Sequence, residues 1–377
     1  MSKENSKATE KKEKRGLFWK ILIAVFLVLI ILAGAIFAIV WHKLDLIQYE
    51  DEIPDATQTR TADGNDDPDA EPDEKHDEDQ DEGVVDVSGL EMVTEPPEIP
   101  DMEIFGDSDV LNIMVIGTDE RADDFSTNAR SDCMIILSIN KEDKTVKMIS
   151  LERGMGVPIL EGQYEGQYDW LTHVFRYGGA DLLKKTVEYC FKVEVPYYVR
   201  FNFHSVEDVV NAVGGVDIEL TALEADGLNG KIRSNAITRH EVHEGLNHLD
   251  GYDALQFARQ RYIDSDWRRV ERQRKVILAV VEAVKGAGLL EFNELADTVL
   301  PMIQTNMEKS QVADLIFYAP TFLKSDFDQM TIPKKGTYGG MAAMEGRTAY
   351  APDYEINNDL IRRFLYEGAT SEELLAE

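Results

Sequence analysis

Hydrophobic residues are unevenly distributed along this chain, and their pattern predicts a folded region that begins near residue 110. The stretch VLNIMVIGT, residues 110–118, reads as a buried strand, CMIILSI (133–139) as a second and TVKMIS (145–150) as a third. The five-residue polar turn NKEDK joins the last two. We therefore expect the second and third strands to be antiparallel neighbours.

Helical and strand patterns alternate after the third strand, which indicates helices packed on a sheet. YGGADLLKKTVEYCFKV reads as a Gly-Gly turn and a helix, and SVEDVVNAVGGVDIEL as a capped helix, a second Gly-Gly turn and a strand. On a later helix, Arg269 and Gln273 continue the apolar stripe of Val276, Ile277, Val280 and Val284, so we expect them on the buried face. Arg268, Arg272 and Arg274 are expected to face solvent or to pair with Glu271 and Asp266.

A separate apolar run precedes the folded region. Residues 21–41, ILIAVFLVLIILAGAIFAIVW, carry no charge and are long enough to cross a hydrocarbon layer of about 30 Å as a helix. Basic residues precede the run and acidic ones follow it, which places the N-terminus in the cytoplasm. A cleaved signal peptide is the alternative, but the run is longer than a signal's apolar region and no A-x-A motif follows closely. We predict a cytoplasmic tail (1–20), a retained single-pass membrane helix (21–41) and an extracellular remainder.

The distribution of charge divides the predicted extracellular part into an acidic linker and a folded domain. Residues 45–109 hold 25 acidic and 2 basic side chains, a net charge of −23 out of the −32 of the whole chain. Such a segment has little to bury and repels itself, so we predict a disordered acidic linker over 42–109. A folded domain over 110–350 and a C-terminal tail over 351–377 complete the predicted organisation. The acidic linker also argues against a nucleic-acid partner.

The two cysteines do not indicate a disulfide-built scaffold. Cys133 falls in a predicted strand and Cys190 in a predicted helix. Each is predicted to be a small buried hydrophobe, and a disulfide between them is the alternative.

Charged residues stand at the ends of the predicted strands. If the first and second strands are also antiparallel, Asp119, Arg121, Arg130, Asp132 and Arg153 all reach one edge of the sheet. Carboxylates hold Mg²⁺, and guanidinium groups match phosphate oxygens. The edge therefore fits a magnesium ion with a phosphate-rich ligand, and a set of structural salt bridges is the alternative.

Further along, six arginines lie between residues 259 and 274 of an otherwise acidic protein, which also favours an anionic ligand. His173 fits either a general base or a core histidine. The chain has no Walker loop, G-x-S-x-G elbow, H-E-x-x-H helix or paired C-x-x-C. These absences exclude P-loop hydrolysis, serine esterase chemistry and the common zinc sites.

As an ordered set, these motifs resemble those of the LytR-CpsA-Psr family of membrane-anchored cell-wall enzymes. The resemblance spans roughly residues 110–280 and rests on DER (119–121), RSD (130–132), SLERG, HVFRYGG, AVGGVDIEL, LDGYDALQFARQR and RVERQ (269–273). TIPKKGTYGG is similar to the family's closing strand.

The resemblance implies an α/β fold, an α-β-α sandwich around a mixed β-sheet, with a hydrophobic cavity for a polyprenyl tail and a charged mouth for a pyrophosphate. It implies Mg²⁺ at Asp119 and Asp132, and catalytic roles for these two residues and Arg153. The implied pyrophosphate-binding residues are Arg121, Arg130, Arg153, Arg259, Arg261, Arg269 and Gln273.

The implied function is transfer of an anionic glycopolymer, of teichoic acid or capsular type, from a polyprenyl pyrophosphate carrier to peptidoglycan. One alternative is a polyprenyl pyrophosphate phosphatase, and another is a non-catalytic module that binds prenyl-phosphate lipids. A DNA-binding regulator is excluded by the predicted membrane helix, which places the folded domain outside the cell.

Two departures from the family pattern bear on these expectations. Glu152-Arg153-Gly154 stands where the family usually has Pro-Arg-Asp, so a carboxylate is missing after the arginine. Its role is expected either to be lost or to pass to Glu152. Cys133 stands where the family tends to have threonine, a change that a buried site tolerates.

Overall fold

The structure is a computed structural model. It describes residues 41–50, 85–119, 129–286, 296–322, 325 and 327–377. Within these ranges, no helix combines the length and the apolar character that a membrane crossing requires. The helix predicted over 21–41 lies outside the described residues except for Trp41.

In the described part of the chain, seven strands form one mixed sheet in the order β1-β10-β7-β2-β3-β4-β11. Their bounds are β1 Gln48–Tyr49, β2 Val110–Thr118, β3 Ser131–Asn140, β4 Thr145–Leu151, β7 Tyr197–Asn202, β10 Gln304–Thr305 and β11 Phe327–Ile332. Three short hairpins flank the sheet: β5 Gly156–Pro158 with β6 Tyr168–Trp170, β8 Val216–Leu220 with β9 Gly245–Leu249, and β12 Tyr338–Ala342 with β13 Thr348–Pro352.

The three predicted strands are confirmed as β2, β3 and β4 at the centre of this sheet. Both successive pairs are antiparallel, with Ile113 opposite Leu137 and Ile136 opposite Ile149. A bulge between Gly117 and Thr118 breaks the regular register where β2 ends. Bulges re-aim side chains at sheet edges, and this one lies beside the predicted charged edge.

Helices cover both faces of the sheet. They are α1 Leu171–Phe191, α2 Phe203–Ala212, α3 Ala222–Leu228, α4 Gly251–Arg259, α5 Asp266–Gly286, α6 Lys309–Phe322, α7 Tyr354–Tyr366 and α8 Ser371–Ala376. On one face, Ile136 and Ile149 of the sheet share a core with Leu183 of α1 and Ile361 of α7. The other face packs against Ile277 of α5 and Phe322 of α6, so the predicted mixed sheet has helices on both faces.

Helix α1 begins earlier than predicted and is broken where a turn was expected. Gly178 and Gly179 leave the helical region, and Gly179 has a φ of 67° that favours glycine. The segment before the break carries His173, and the segment after it forms the predicted helix. The two Gly-Gly turns of the sequence thus mark real interruptions in the chain.

The predicted linker over 42–109 is partly wrong, because its two described pieces pack on the domain. Leu44 is fully buried and β1 extends the main sheet. Val85 is buried, and Phe105 makes a bridge to Val193. We call residues 85–109 the N-terminal segment. Its apolar side chains form no regular pattern in the sequence, but Val85, Val87 and Leu90 pack against the domain.

The predicted C-terminal tail over 351–377 is wrong. It contains the end of β13 together with α7 and α8. Ile361, Phe364 and Leu374 are fully buried in the main core. The helical spacing of these apolar residues carries the signal that separates a packed helix from a tail.

Candidate functional site

The predicted charged edge forms where β2, β3 and β4 meet. Asp119 follows β2, and Arg130 precedes β3. The Asp119 carboxylate accepts hydrogen bonds from the Arg130 backbone N–H at 2.7 Å and from its Nε at 2.8 Å. The Asp119 N–H donates to the Arg130 carbonyl in return, at 3.2 Å. The residues that flank the loop between the two strands are therefore held together.

Asp132 is the centre of the site. It is 9% exposed, and its oxygens accept hydrogen bonds from Arg153 Nη1 at 3.1 Å and Arg261 Nη2 at 3.3 Å. Burial acts to raise the pKa of this carboxyl, but the charges of Arg153, Arg269, Arg261 and Arg130 outweigh it and hold the pKa well below its usual range. Asp132 is thus an ionised carboxylate surrounded by guanidinium groups. We call these arginines, Arg130, Arg153, Arg261 and Arg269, the arginine cluster.

Arg153 lies in the turn between β4 and β5 and is only 3% exposed. Its carbonyl accepts from the N–H of Thr172 at 3.1 Å, which ties the turn to the start of α1. Its guanidinium carbon lies 5.9 Å from the centre of the Trp170 ring, within cation–π range. The arginine is therefore positioned by its backbone as well as by Asp132.

Helices α4 and α5 supply the other side of the site. Arg261 follows α4, and its N–H donates to Asn235 Oδ1 at 2.6 Å. Arg269 is buried on the face of α5 predicted for it, and Gln273 Nε2 donates to the Asp132 carbonyl at 3.2 Å. Arg259 is half-buried at the end of α4. Arg121 lies outside the described residues.

The expectation that Arg272 and Arg274 face solvent is wrong. Arg272 is 1% exposed and binds both Asp264 oxygens, at 2.7 and 2.9 Å, and the Gln260 carbonyl at 2.7 Å. Arg274 donates to Ser150 Oγ at 2.9 Å and Thr331 Oγ1 at 2.7 Å. Both bury a long side chain and form hydrogen bonds through its terminal nitrogens. Arg268, in contrast, is exposed and pairs with Glu271 as predicted.

His173 belongs to a buried polar network behind the site. Its Nδ1 lies 3.0 Å from Asp169 Oδ2, and it is 1% exposed. Asp169 also accepts from the Tyr177 hydroxyl at 2.6 Å and from Arg347 Nη2 at 3.1 Å. The core-histidine interpretation is therefore the one the geometry supports. Sequence reasoning missed Asp169 and Arg347, which are 178 positions apart and share no local signal.

The side chain of Val85 fills the position next to Gly154, where the family's carboxylate is missing. A Cβ built on Gly154 would lie 2.4 Å from Val85 Cγ2, so the N-terminal segment occupies the space that an aspartate side chain would need. Glu152, the residue to which that role was expected to pass, is fully buried. Burial, and to a lesser extent the charge of Glu152, raise the pKa of Tyr338. Glu152 therefore lies close enough to Tyr338 for its charge to affect the hydroxyl.

Three aromatic rings pack together near the turn that carries Arg153, where the Tyr350 N–H donates to the Gly154 carbonyl at 2.9 Å. Trp267, two residues before Arg269, lies 5.4 Å from Tyr338 and 5.8 Å from Tyr350, measured between ring centres. Tyr338 and Tyr350 meet edge to face at 5.1 Å. We call these three residues the aromatic triad. No spacing in the sequence links them, because the rings come from α5, β12 and β13.

An apolar surface adjoins Asp132 on the α5 side of the sheet. Cys133, Ile135 and Met148 are buried there, whereas Val115 and Ile277 are only half-buried. Cys133 and Cys190 are both buried free thiols, in agreement with the prediction. The charged site thus stands at the edge of an incompletely covered apolar face.

Comparison with known proteins decides the family. The family model described as "LytR_cpsA_psr family" matches residues 67–360, more than half of the chain. This protein belongs to the LytR-CpsA-Psr family. The resemblance drawn from the motifs is therefore confirmed, and the motifs lie within the matched residues.

Curated members of the family align with more than half of the chain. The polyisoprenyl-teichoic acid–peptidoglycan teichoic acid transferase TagT of Bacillus subtilis (strain 168) is 30% identical over 227 residues, covering 59% of this chain and 68% of TagT. TagU of Bacillus cereus (strain ATCC 14579), which has the same enzyme description, is 30% identical over 213 residues, covering 55% of this chain and 64% of TagU. The chain thus spans about two thirds of the length of these relatives.

Solved structures of the family share the fold. A structure titled "TagT bound to LIIa-WTA" matches with a TM-score of 0.55 and 25% identity, covering 72% of this chain and 97% of that one. A protein of Streptococcus agalactiae matches with a TM-score of 0.58 and 23% identity, covering 70% and 90%. The mixed α/β fold around a central mixed sheet is that of LytR-CpsA-Psr structures.

Proposed function

We propose that this protein transfers an anionic glycopolymer from a polyprenyl pyrophosphate carrier to peptidoglycan. The observation that carries the proposal is the buried Asp132 carboxylate with Arg153 and Arg261 on its two oxygens. The cluster occurs in a family whose curated members named above are polyisoprenyl-teichoic acid–peptidoglycan teichoic acid transferases. Guanidinium groups fixed in a water-poor site suit the recognition of a pyrophosphate.

The chain's own residues account for most of the reaction. A sugar hydroxyl of the acceptor attacks the phosphorus next to the polymer, and the phosphorus–oxygen bond to the lipid phosphate breaks. Arg153, Arg261 and Arg269 neutralise the charge that grows on the departing lipid phosphate, and since they are already in place they need no reorganisation. The hydroxyl proton passes to one of the two carboxylates at the same edge, Asp119 or Asp132, and the arginines that hold Asp132 ionised make it the weaker base of the two.

The site residues also suit a magnesium ion. Asp119 and Asp132 would hold it, since Mg²⁺ commonly takes one or two carboxylates together with substrate phosphates. Each carboxylate has about four lone-pair positions, so the arginine contacts at Asp132 leave acceptor positions for a cation. When bound, the ion would add positive charge next to the pyrophosphate oxygens.

The apolar face beside Asp132 suits the polyprenyl tail of the carrier. Half-buried Val115 and Ile277 would become covered when the tail binds, which favours binding through burial of apolar area. The predicted membrane helix over 21–41 would keep the domain outside the cell and near the bilayer that holds this lipid. Charge recognition of the head and apolar recognition of the tail thus meet at one sheet edge.

A non-catalytic lipid-binding module is the second candidate. The observation that favours it is Gly154, where the family's aspartate is absent and Val85 takes its space. Such a module would bind prenyl pyrophosphates through the same arginines without turnover.

A single assay separates these possibilities. The full-length protein is incubated with a short-chain polyprenyl pyrophosphate glycan, a peptidoglycan oligosaccharide and Mg²⁺, and products are followed by mass. Glycan joined to the acceptor, reduced by about a hundredfold or more in Arg153→Ala and Asp132→Ala, supports the transferase. Arg268→Ala, an exposed arginine outside the cluster, is the matched control. Phosphorylated sugar released to water would indicate a phosphatase, and binding without turnover would indicate the lipid-binding module.

A further inference from the structure

A second concave surface lies between the N-terminal segment and the C-terminal part of the domain. It is a groove of about 1070 Å³. One wall is residues 91–105, attached to the domain by Val93 N–H to the Gly340 carbonyl and Gly340 N–H to the Glu91 carbonyl, both at 2.8 Å. The other wall is β12 and the start of α7. The volume is in the range of cavities that bind ligands.

The groove is acidic, in contrast to the arginine cluster. Its lining includes Glu91, Glu98, Asp353, Glu355 and Asp359, and these side chains are exposed. Glu91, Glu98 and Glu355 form no ion pair with another residue in the described ranges. The one arginine in the lining, Arg362, is already paired with Asp359 and Glu367. The groove therefore presents net negative charge to whatever enters it.

Apolar side chains lie among these carboxylates. Val93, Met102 and Ile356 line the groove and are 38%, 40% and 46% exposed, respectively. Large hydrophobic side chains exposed together around a concave surface are typical of a binding site. The surface combines apolar contact with negative charge, a combination that favours an uncharged or cationic ligand over an anionic one.

The groove is connected to the reaction site through Tyr338. This residue lines the groove and also belongs to the aromatic triad. Tyr350, its neighbour in the triad, donates its backbone N–H at 2.9 Å to the carbonyl of Gly154, which directly follows Arg153 of the arginine cluster. A ligand lying in the groove can therefore extend across the triad, and the flat ring faces suit the apolar faces of sugar rings.

The two substrates of the proposed reaction differ in charge, and this difference assigns the groove. The donor is a polyanion, which five carboxylates would repel. The acceptor is a glycan whose peptide side chains carry free amines as well as carboxylates, so unlike the donor it has cationic groups that the groove can bind. We propose that this groove binds the acceptor strand, with amines against Glu98 and Glu355 and sugar rings over Tyr338. The assignment rests on the proposed transferase function.

The test measures acceptor binding directly on the full-length protein in detergent. The probe is a soluble peptidoglycan fragment with free side-chain amines, and its dissociation constant is determined by titration calorimetry. Glu98→Gln with Glu355→Gln should weaken binding about fivefold, since each exposed ion pair contributes modestly. Glu142→Gln with Glu165→Gln, two exposed glutamates outside the groove lining, is the matched control and should leave the constant unchanged.

Acetylating the amines of the fragment should weaken binding to the wild-type protein by a similar factor and have little further effect on the Glu98/Glu355 variant. A short-chain polyprenyl pyrophosphate should bind wild type and variant equally. Equal fragment binding by wild type and variant, or no effect of acetylation, would overturn the assignment. Amine-dependent binding in the groove with no transfer to the acceptor would refute the proposed function while leaving the groove assigned.

Discussion

Individual side chains around Arg153 show how local substitutions are balanced by contacts from distant parts of the chain. Gly154 lacks the side chain that the family usually places there, and Val85 lies in the vacated space. Asp132, one strand away, is held ionised by several arginines rather than by a single partner. The chemistry of each of these residues is therefore set by neighbours that are remote in sequence.

Restoring the family's aspartate should destabilise this protein. In Gly154→Asp the new Cβ would meet Val85 Cγ2 at 2.4 Å, and the buried carboxylate adds a desolvation penalty. We expect the free energy of unfolding to fall by about 2 kcal/mol or more. Combining it with Val85→Ala, which removes the clashing methyl group, should give a smaller loss than the sum of the two single variants. Additive losses in denaturant titrations would show that the two sites are not coupled.

The Cys133 thiol should be unreactive in the folded protein. Burial raises its pKa to about 12, so almost no thiolate exists at pH 8. Iodoacetamide at pH 8 should therefore modify Cys133 at least about a hundredfold more slowly in native protein than in denaturant, where the thiol pKa returns to about 8.5. Peptide mass mapping gives the two rates, and fast labelling of the native protein would contradict the buried placement.

At the scale of elements, the start of α1 connects the reaction site to the β12–β13 hairpin. Trp170 donates its indole N–H to the Thr348 carbonyl at 2.7 Å, and its ring stacks on His173. Asp169 binds Arg347, just before β13. Arg153 contacts the same Trp170 ring, so this network supports the turn that carries Arg153.

Asp169→Asn should destabilise the fold by about 3 kcal/mol, because buried His173 loses its anionic partner and Arg347 keeps only Glu345. The hydrogen bonds from His173 and Tyr177 outweigh burial and lower the pKa of Asp169. Its contribution is therefore fully present above the unfolded pKa of about 3.9 and is lost as pH falls through the lower folded value. The stability difference between wild type and variant should shrink in acid. Asp181→Asn, an exposed position on α1, is the control for denaturant titrations between pH 3 and pH 7.

At the scale of the whole molecule, charge is segregated along the chain and across the domain. The −23 charge of residues 45–109 precedes a domain whose reaction site is basic. The N-terminal segment continues this acidic stretch, yet it packs on the domain through Val85, Val87 and Leu90. The acidic stretch therefore forms one wall of the groove in addition to the predicted linker.

Removal of residues 85–105 of the N-terminal segment should lower the stability of the domain. A fragment of residues 106–377 should melt at least about 6 °C below a fragment of residues 85–377, because three apolar side chains lose their partners, worth about 3 kcal/mol in total. Differential scanning calorimetry gives the comparison. Equal melting temperatures would show that the segment contributes nothing to the fold. A fragment of residues 85–370, which lacks α8, is the control: its melting temperature shows how much stability is lost when a different terminal piece is removed.

The sequence by itself determined the three central strands, several of the helices that pack on them, and the charges that meet at one edge. The period of the apolar residues specifies each element, and the short turn between β3 and β4 leaves their pairing little freedom. Asp119, Arg130, Asp132 and Arg153 could be placed together because each directly flanks, or lies within, a strand of known direction. The ordered motifs then indicated the family.

Only the tertiary structure decided which distant side chains meet. The pairing of Asp169 with Arg347, the burial of Arg272 and Arg274, and the position of Val85 against Gly154 depend on packing between remote segments. The aromatic triad and both walls of the groove arise in the same way. Periodicity states that a residue faces inward, but not which residue it faces, because that depends on how whole elements pack against each other.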